Sequence, residues 1–211
     1  MNTIVSKRFF SENVAEIVVE APLIARSRRA GHFVIVRVDE KGERMPLTIS
    51  DADVEKGTIT LVVQRIGVSS SKLCALEAGD RVANLVGPLG KATDIRNYGT
   101  VVCACGGVGA PPRLPIAQAL KAAGNRVVTI LAARNKDLII LYDQLKAVSD
   151  EIIVMTDDGS MGMKGLVTQG VEEVILREKV DKCITIGPAI MMKFVALTTK
   201  KYNIPTEASL N

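Results

Sequence analysis

The sequence predicts an N-terminal antiparallel β-barrel followed by a C-terminal α/β doubly wound parallel sheet. Three observations lead there. Up to residues 96–99, short Val- and Ile-rich runs are separated by turn residues; beyond them, strand-like and helix-like segments alternate. The length, 211 residues of which 47% are hydrophobic, suits one large domain or two small ones. The boundaries expected are residues 1–97 for the barrel and 98–211 for the sheet domain.

In the first half, strands are read at 14–20 (VAEIVVE), 32–38 (HFVIVRV), 58–66 (TITLVVQRI) and 80–87 (DRVANLVG). Turn signals such as KG, EAGD and GPLG divide them. Alternation in TITLVVQ puts Ile59, Leu61 and Val63 on one face, as a half-buried strand requires. In the second half, strands are read at 100–106, 126–134, 151–156 and 182–187, with helices from about 112 to 123, near 138–148, at 168–178 and at 189–202. Parallel strands need crossovers, and helices of this length supply them.

Composition removes several function classes. The longest apolar runs, 129–133 and 138–141, fall short of the roughly 18 residues a membrane-spanning helix needs. The first twenty residues scatter charge among short apolar segments and carry no export-signal pattern, so the location expected is cytoplasmic. A net charge of +4 with 3% aromatic residues gives nucleic acid little to stack on. Cys74, Cys103, Cys105 and Cys183 are read as small core residues in a reducing compartment; with His32 the one histidine, no metal ligands are assigned.

The chemistry-bearing segments are turns. Gly106-Gly107-Val108-Gly109 sits at the carboxyl end of the first parallel strand, where ligands of open α/β sheets bind. Glycines there admit a ligand to the backbone, and the following helix N-terminus is expected to offer N–H groups to a phosphate. Pro111 and Pro112 suit a first helical turn. Further strand ends bring Arg134, then Asp157 and Asp158, then Gly187 to the same edge. Such loops also occur in sheets that bind nothing. In the first half, GERMPLTISDAD (42–53) carries Arg44 three residues before Leu47 and Thr48, and QRIGVSSSKL (64–73) joins Gly67 to three serines that could open a short helix. That turn suits either a phosphate or ordinary serine capping.

Taken in order, these segments resemble the ferredoxin–NADP reductase-like flavoproteins over nearly the whole chain. The resemblance is closest to the electron-transfer subunits of dihydroorotate dehydrogenase and of bacterial ferredoxin–NADP reductase. "RMPLT" resembles the flavin motif Arg-x-Pro-[hydrophobic or Tyr]-[Ser/Thr]. By resemblance, Arg44, Pro46, Leu47 and Thr48 contact FAD, Arg44 meeting its pyrophosphate and Thr48 taking the catalytic position beside the reactive edge of the isoalloxazine. "GVSSSKL" resembles the second FAD loop, with Gly67, Ser69 and Ser70 around the pyrophosphate. Gly106, Gly107, Val108, Gly109, Arg134, Asp157, Asp158 and Gly187 then fall on the nicotinamide-nucleotide side.

The resemblance implies an NAD(P)H-linked flavoprotein oxidoreductase. Hydride moves between NAD(P)H and FAD, and electrons pass through an iron–sulfur centre to a partner such as ferredoxin. It implies a heteromer with a larger flavin or iron–sulfur subunit. The alternatives are a dihydroorotate dehydrogenase electron-transfer subunit and a non-catalytic assembly subunit that keeps the fold. Three departures stand out. Gly31-His32-Phe33 replaces the family's Gly-Gln-Phe, and Arg113 enters the first helical turn after the glycines, as a phosphate contact or a solvated side chain. The family's cysteine-rich tail, which binds a two-iron two-sulfur cluster, would follow IPTEASLN, so the cluster is expected only in a full-length form.

Overall fold

The computed structural model describes residues 2–209, with Val108 by its backbone alone; the expectation for the last residues, Leu210 and Asn211, lies outside them. Two compact units divide between Thr93 and Asp94.

Unit 1 contains β1 (Ile4–Ser11), β2 (Val14–Glu20), α1 (Pro22–Ser27), β3 (Phe33–Arg37), β4 (Met45–Asp53), β5 (Thr58–Gln64), α2 (Val68–Ala75) and β6 (Asn84–Leu89). The six strands are antiparallel in the order β1-β2-β5-β4-β3-β6. Period-two alternation on β2 meets its counterpart on β5: Ala15 opposes Val63, Ile17 opposes Leu61, and Val19 opposes Ile59, all six buried. Val34 and Val36 of β3, Leu73 and Cys74 of α2, and Ile24 and Ala25 of α1 complete this core. Edge strand β1 is tied to the turn that precedes the other edge strand, β6, where the Ile4 N–H donates to Asp80 O at 2.8 Å and the Gly79 N–H to Ile4 O at 2.8 Å.

Two strands escape the hydrophobic pattern. On β1, Ile4 is buried while Val5 and Phe9 face solvent, which inverts the usual signal. β4 holds Pro46 and two aspartates, yet Pro46 lies opposite Ile35 of β3 and before β4 begins pairing with β5 at Ile49. A residue without an N–H is tolerated there. The run expected as one strand over 80–87 is divided: residues 80–82 bond with 2–4, and β6 starts only at Asn84.

Unit 2 contains β7 (Thr100–Gly106), α3 (Ala110–Ala122), β8 (Arg126–Ala133), α4 (Tyr142–Ala147), β9 (Glu151–Thr156), β10 (Met163–Lys164), α5 (Val167–Arg177), β11 (Lys182–Ile186), α6 (Ala189–Lys201) and β12 (Thr206–Ser209). Its strands are all parallel in the order β10-β9-β8-β7-β11-β12. From β7 the chain winds one way through β8 and β9, and from β11 the other way to β12. The winding therefore reverses between β7 and β11, the place where open sheets of this kind leave a crevice. Val102, Ala104, Val128, Ile130, Met155 and Cys183 face Val171 and Val174 of α5 and Val195 of α6. The helix expected at 138–148 is shorter: Leu141 takes a left-handed conformation (φ +58°), so regular helix begins at Tyr142. Among the described residues, no helix is long and apolar enough to cross a membrane.

Candidate functional site

In unit 1 the motif residues sort by the pleat of β4. Leu47 and Met45 pack against the barrel core, so Pro46 and Thr48 take the opposite face. Thr48 lies opposite Phe33 and is half-buried; Pro46 is exposed. Leu47, expected at the flavin, is half-buried with its side chain packed against the barrel core.

The start of α2 is assembled by Ser70. Its Oγ accepts from the Ile66 and Gly67 N–H groups, each at 3.0 Å, and donates to the Gly67 carbonyl at 3.1 Å. Its hydroxyl is therefore consumed in building the turn. The N–H groups of Val68, Ser69 and Ser70 occupy the first helical turn, where the helix supplies no acceptor. Gly67 is extended (φ −133°, ψ −175°), and a Cβ added to it would meet nothing within 4 Å. Among the described residues nothing crowds that position, so the backbone at this N-cap is open to a ligand. Ser69 is buried, and its Oγ donates to Glu43 Oε2 at 3.2 Å. That bond brings the segment of Arg44 to the α2 start, 26 residues apart in sequence. Arg44 is exposed. Open backbone, amide donors, a hydroxyl and an arginine carried on the adjoining segment suit a diphosphate, so the residues present fit the flavin-side expectation.

His32 is occupied locally: its Nδ1 accepts from the Arg29 N–H at 3.1 Å, and burial followed by the nearby Arg29 charge pushes its pKa down.

In unit 2 the glycines first serve the backbone crossing at the switch point. A Cβ on Gly109 would fall into the Ile186 carbonyl, one on Gly106 would lie 2.6 Å from Met191 Sδ, and one on Gly187 would lie 2.8 Å from Met191 Cε. Met191, not singled out from the sequence, packs against both strand ends. The helix after the glycines does not offer the donors expected of it. Ala110 N–H closes the 3₁₀ turn onto Gly107 O, and Pro111 and Pro112 carry no N–H. Any phosphate donors at this turn are the amides of residues 107–109, which form that 3₁₀ turn.

The other rim residues are exposed: Arg134 just past β8, and Asp157 and Asp158 just past β9. The Asp157 N–H donates to Ala133 O at 3.1 Å and the Asp158 N–H to Arg134 O at 3.3 Å, which ties the two strand ends together. The Asp158 carboxylate accepts from Ser160 Oγ at 2.6 Å and from its N–H at 2.9 Å, and these bonds hold its pKa below the usual value. Arg113 corrects both sequence readings. It is fully buried, and its Nε and both Nη atoms have no acceptor among the described residues.

An antiparallel barrel with a glycine–hydroxyl helix start, and a parallel sheet with glycine turns at its switch point, have the architecture of the flavoprotein reductases. No family model matches the sequence. The chain is 42% identical over 211 residues to the dihydroorotate dehydrogenase B (NAD(+)) electron transfer subunit homolog of Thermotoga maritima, covering 100% of this chain and 74% of that protein. It is 34% identical over 195 residues to the dihydroorotate dehydrogenase B electron transfer subunit of Desulforamulus reducens, covering 90% and 74%. The solved structure of an NADH-dependent reduced ferredoxin-NADP oxidoreductase superposes with a TM-score of 0.94 at 42% identity, over 100% of this chain and 76% of that one. A ferredoxin NADP+ reductase from Neisseria gonorrhoeae with bound FAD and NADP shares the fold, with a TM-score of 0.78 at 17% identity over 99% of this chain and 97% of that one. The chain belongs to the ferredoxin–NADP reductase-like family, alongside the electron-transfer subunits of dihydroorotate dehydrogenase B.

Proposed function

We propose that this chain is a flavoprotein electron-transfer subunit that moves hydride between NAD(P)H and FAD and hands electrons to a partner protein. The observation that carries this reading is the Glu43–Ser69 bond, which brings the Arg44 segment to a helix start with open backbone at Gly67. In this reading Arg44, Ser69 and the amides of Val68, Ser69 and Ser70 hold the diphosphate of FAD. Gly67 lets it approach, and Ser70 keeps the turn in shape. Thr48 and Pro46 present the outer face of β4 to the isoalloxazine. FAD, when bound, takes up an electron pair as hydride and releases electrons one at a time, so the protein needs no acid–base dyad. Its contribution is distance and orientation. The amides of residues 107–109 take a nucleotide phosphate, with Arg134, Asp157, Asp158 and Gly187 around the rim. Residues 1–97 act as the FAD domain and 98–211 as the NAD(P) domain of a cytoplasmic heteromer.

Two partners fit the same chemistry. The relatives named for dihydroorotate dehydrogenase B favour a subunit serving that oxidation, and the structure named for ferredoxin-NADP oxidoreduction favours an iron–sulfur carrier. The test is anaerobic titration of the FAD-loaded chain with NADH and then NADPH, followed by visible absorption. Bleaching of the flavin bands by either nucleotide is the expected result. Flavin lost on desalting would remove the cofactor reading, and retained flavin that neither nucleotide bleaches would favour an assembly subunit.

A further inference from the structure

We infer that Glu43 is a built-in competitor for the flavin diphosphate, occupying the Ser69 hydroxyl until a phosphate oxygen displaces it. The inference rests on the proposed diphosphate site at the start of α2. Glu43 is exposed and has bulk water available, yet its Oε2 accepts from the buried Ser69 hydroxyl at 3.2 Å. A hydroxyl has one proton to donate, so Ser69 serves either the carboxylate or a phosphate, never both. Both acceptors are anionic oxygens, which makes the carboxylate a chemical mimic of the group the turn is suited to hold.

The loop that carries Glu43 is anchored independently of it. Asp39 Oδ1 accepts from the Lys41 N–H at 3.0 Å, the Gly42 N–H donates to Asp39 O at 3.0 Å, and Asp39 Oδ2 pairs with Lys72 Nζ of the last α2 turn at 2.7 Å. The loop thus touches α2 at both ends, by an ion pair at Lys72 and by a single hydrogen bond at Ser69. Releasing the Ser69 end leaves the Lys72 end in place. Glu43 can then swing aside while Arg44, its chain neighbour, stays within the same anchored loop. A carboxylate left beside an arriving diphosphate also repels it, so Glu43 weakens flavin binding twice, by occupying a donor and by its charge.

Quenching of flavin fluorescence tests this on the flavin-free chain, titrated with FAD and with riboflavin, which lacks the diphosphate. Glu43→Ala, which removes both the acceptor and the charge, is expected to tighten FAD about three- to tenfold at low salt, with the gain shrinking as salt rises and riboflavin unchanged. Unchanged or weaker FAD binding in Glu43→Ala, alongside a loss of about tenfold or more in Arg44→Ala, would overturn the role of Glu43 and leave the diphosphate site standing. If Arg44→Ala and Ser69→Ala change FAD affinity no more than riboflavin affinity, the diphosphate site itself is wrong and the competitor falls with it.

Discussion

Arg113 is a guanidinium sealed inside unit 2 without an acceptor for Nε, Nη1 or Nη2 among the described residues. Burial pushes its pKa down to about 9, against slight support from Cys183 and Glu207, so it stays charged at neutral pH. A buried cation of this kind costs stability on the order of several kcal/mol, and an apolar residue of similar volume avoids that cost. Arg113→Met is therefore expected to stabilise the chain at pH 7 by about 1–4 kcal/mol in urea unfolding. The pH dependence has a definite sign. A base whose folded pKa is depressed pays its full penalty below about pH 9, and the penalty is relieved as the pH rises from there toward 12.5, its ordinary value. The advantage of Arg113→Met should then shrink between pH 7 and pH 10, and an equal gap at both would show that the charge is not what costs. The sequence placed Arg113 in the first turn of a helix, as a phosphate contact or a solvated side chain, and its burial was not legible because a short apolar context reads the same on a covered and an uncovered helix face.

The two glycine turns, so similar in sequence, differ as elements. At Gly109 the neighbouring Ile186 carbonyl excludes a side chain, so the glycine is explained by packing alone. At Gly67 the conformation is extended and the space beside it is open. In Gly67→Ala the unfolded-state gain and the poorer N-cap oppose each other, so flavin-free stability is expected to change by no more than about 1 kcal/mol while FAD binding weakens about tenfold or more in the same quenching titration. Equal FAD affinity would remove the close approach of the ligand. The donor count at α3 was within reach of the sequence, since Pro111 and Pro112 carry no N–H wherever they stand. The Ser69 bond to Glu43 was not, because it joins residues 26 positions apart through a loop whose path no local propensity specifies.

For the whole molecule, ligand binding is expected to distinguish the units. FAD at about a hundred times its dissociation constant should stabilise what it binds by about 2.7 kcal/mol. Hydrogen exchange is the measurement: FAD should slow the amides of residues 44, 45, 47, 48 and 67–70 in unit 1, and leave the β8 and β9 strands of unit 2 unchanged. Protection confined to unit 2 would reverse the assignment of the cofactor. The order of elements was legible wherever burial is regular. Ile59, Leu61 and Val63 announced β5, and the alternation of apolar runs with helices announced the parallel sheet, because period and run length follow from which faces are covered. β1, β4 and β12 stayed hidden, since an exposed Phe9, a proline and aspartates, and a polar edge strand owe their pairing to neighbours. The sequence by itself determined the two textures, the glycine turns and their order along the chain. The tertiary structure alone decided that Leu47 faces the core, that Ser70 builds its turn while Ser69 meets Glu43, and that Arg113 is sealed in. Those outcomes depend on contacts between distant segments, and residue type and spacing carry information only about near neighbours.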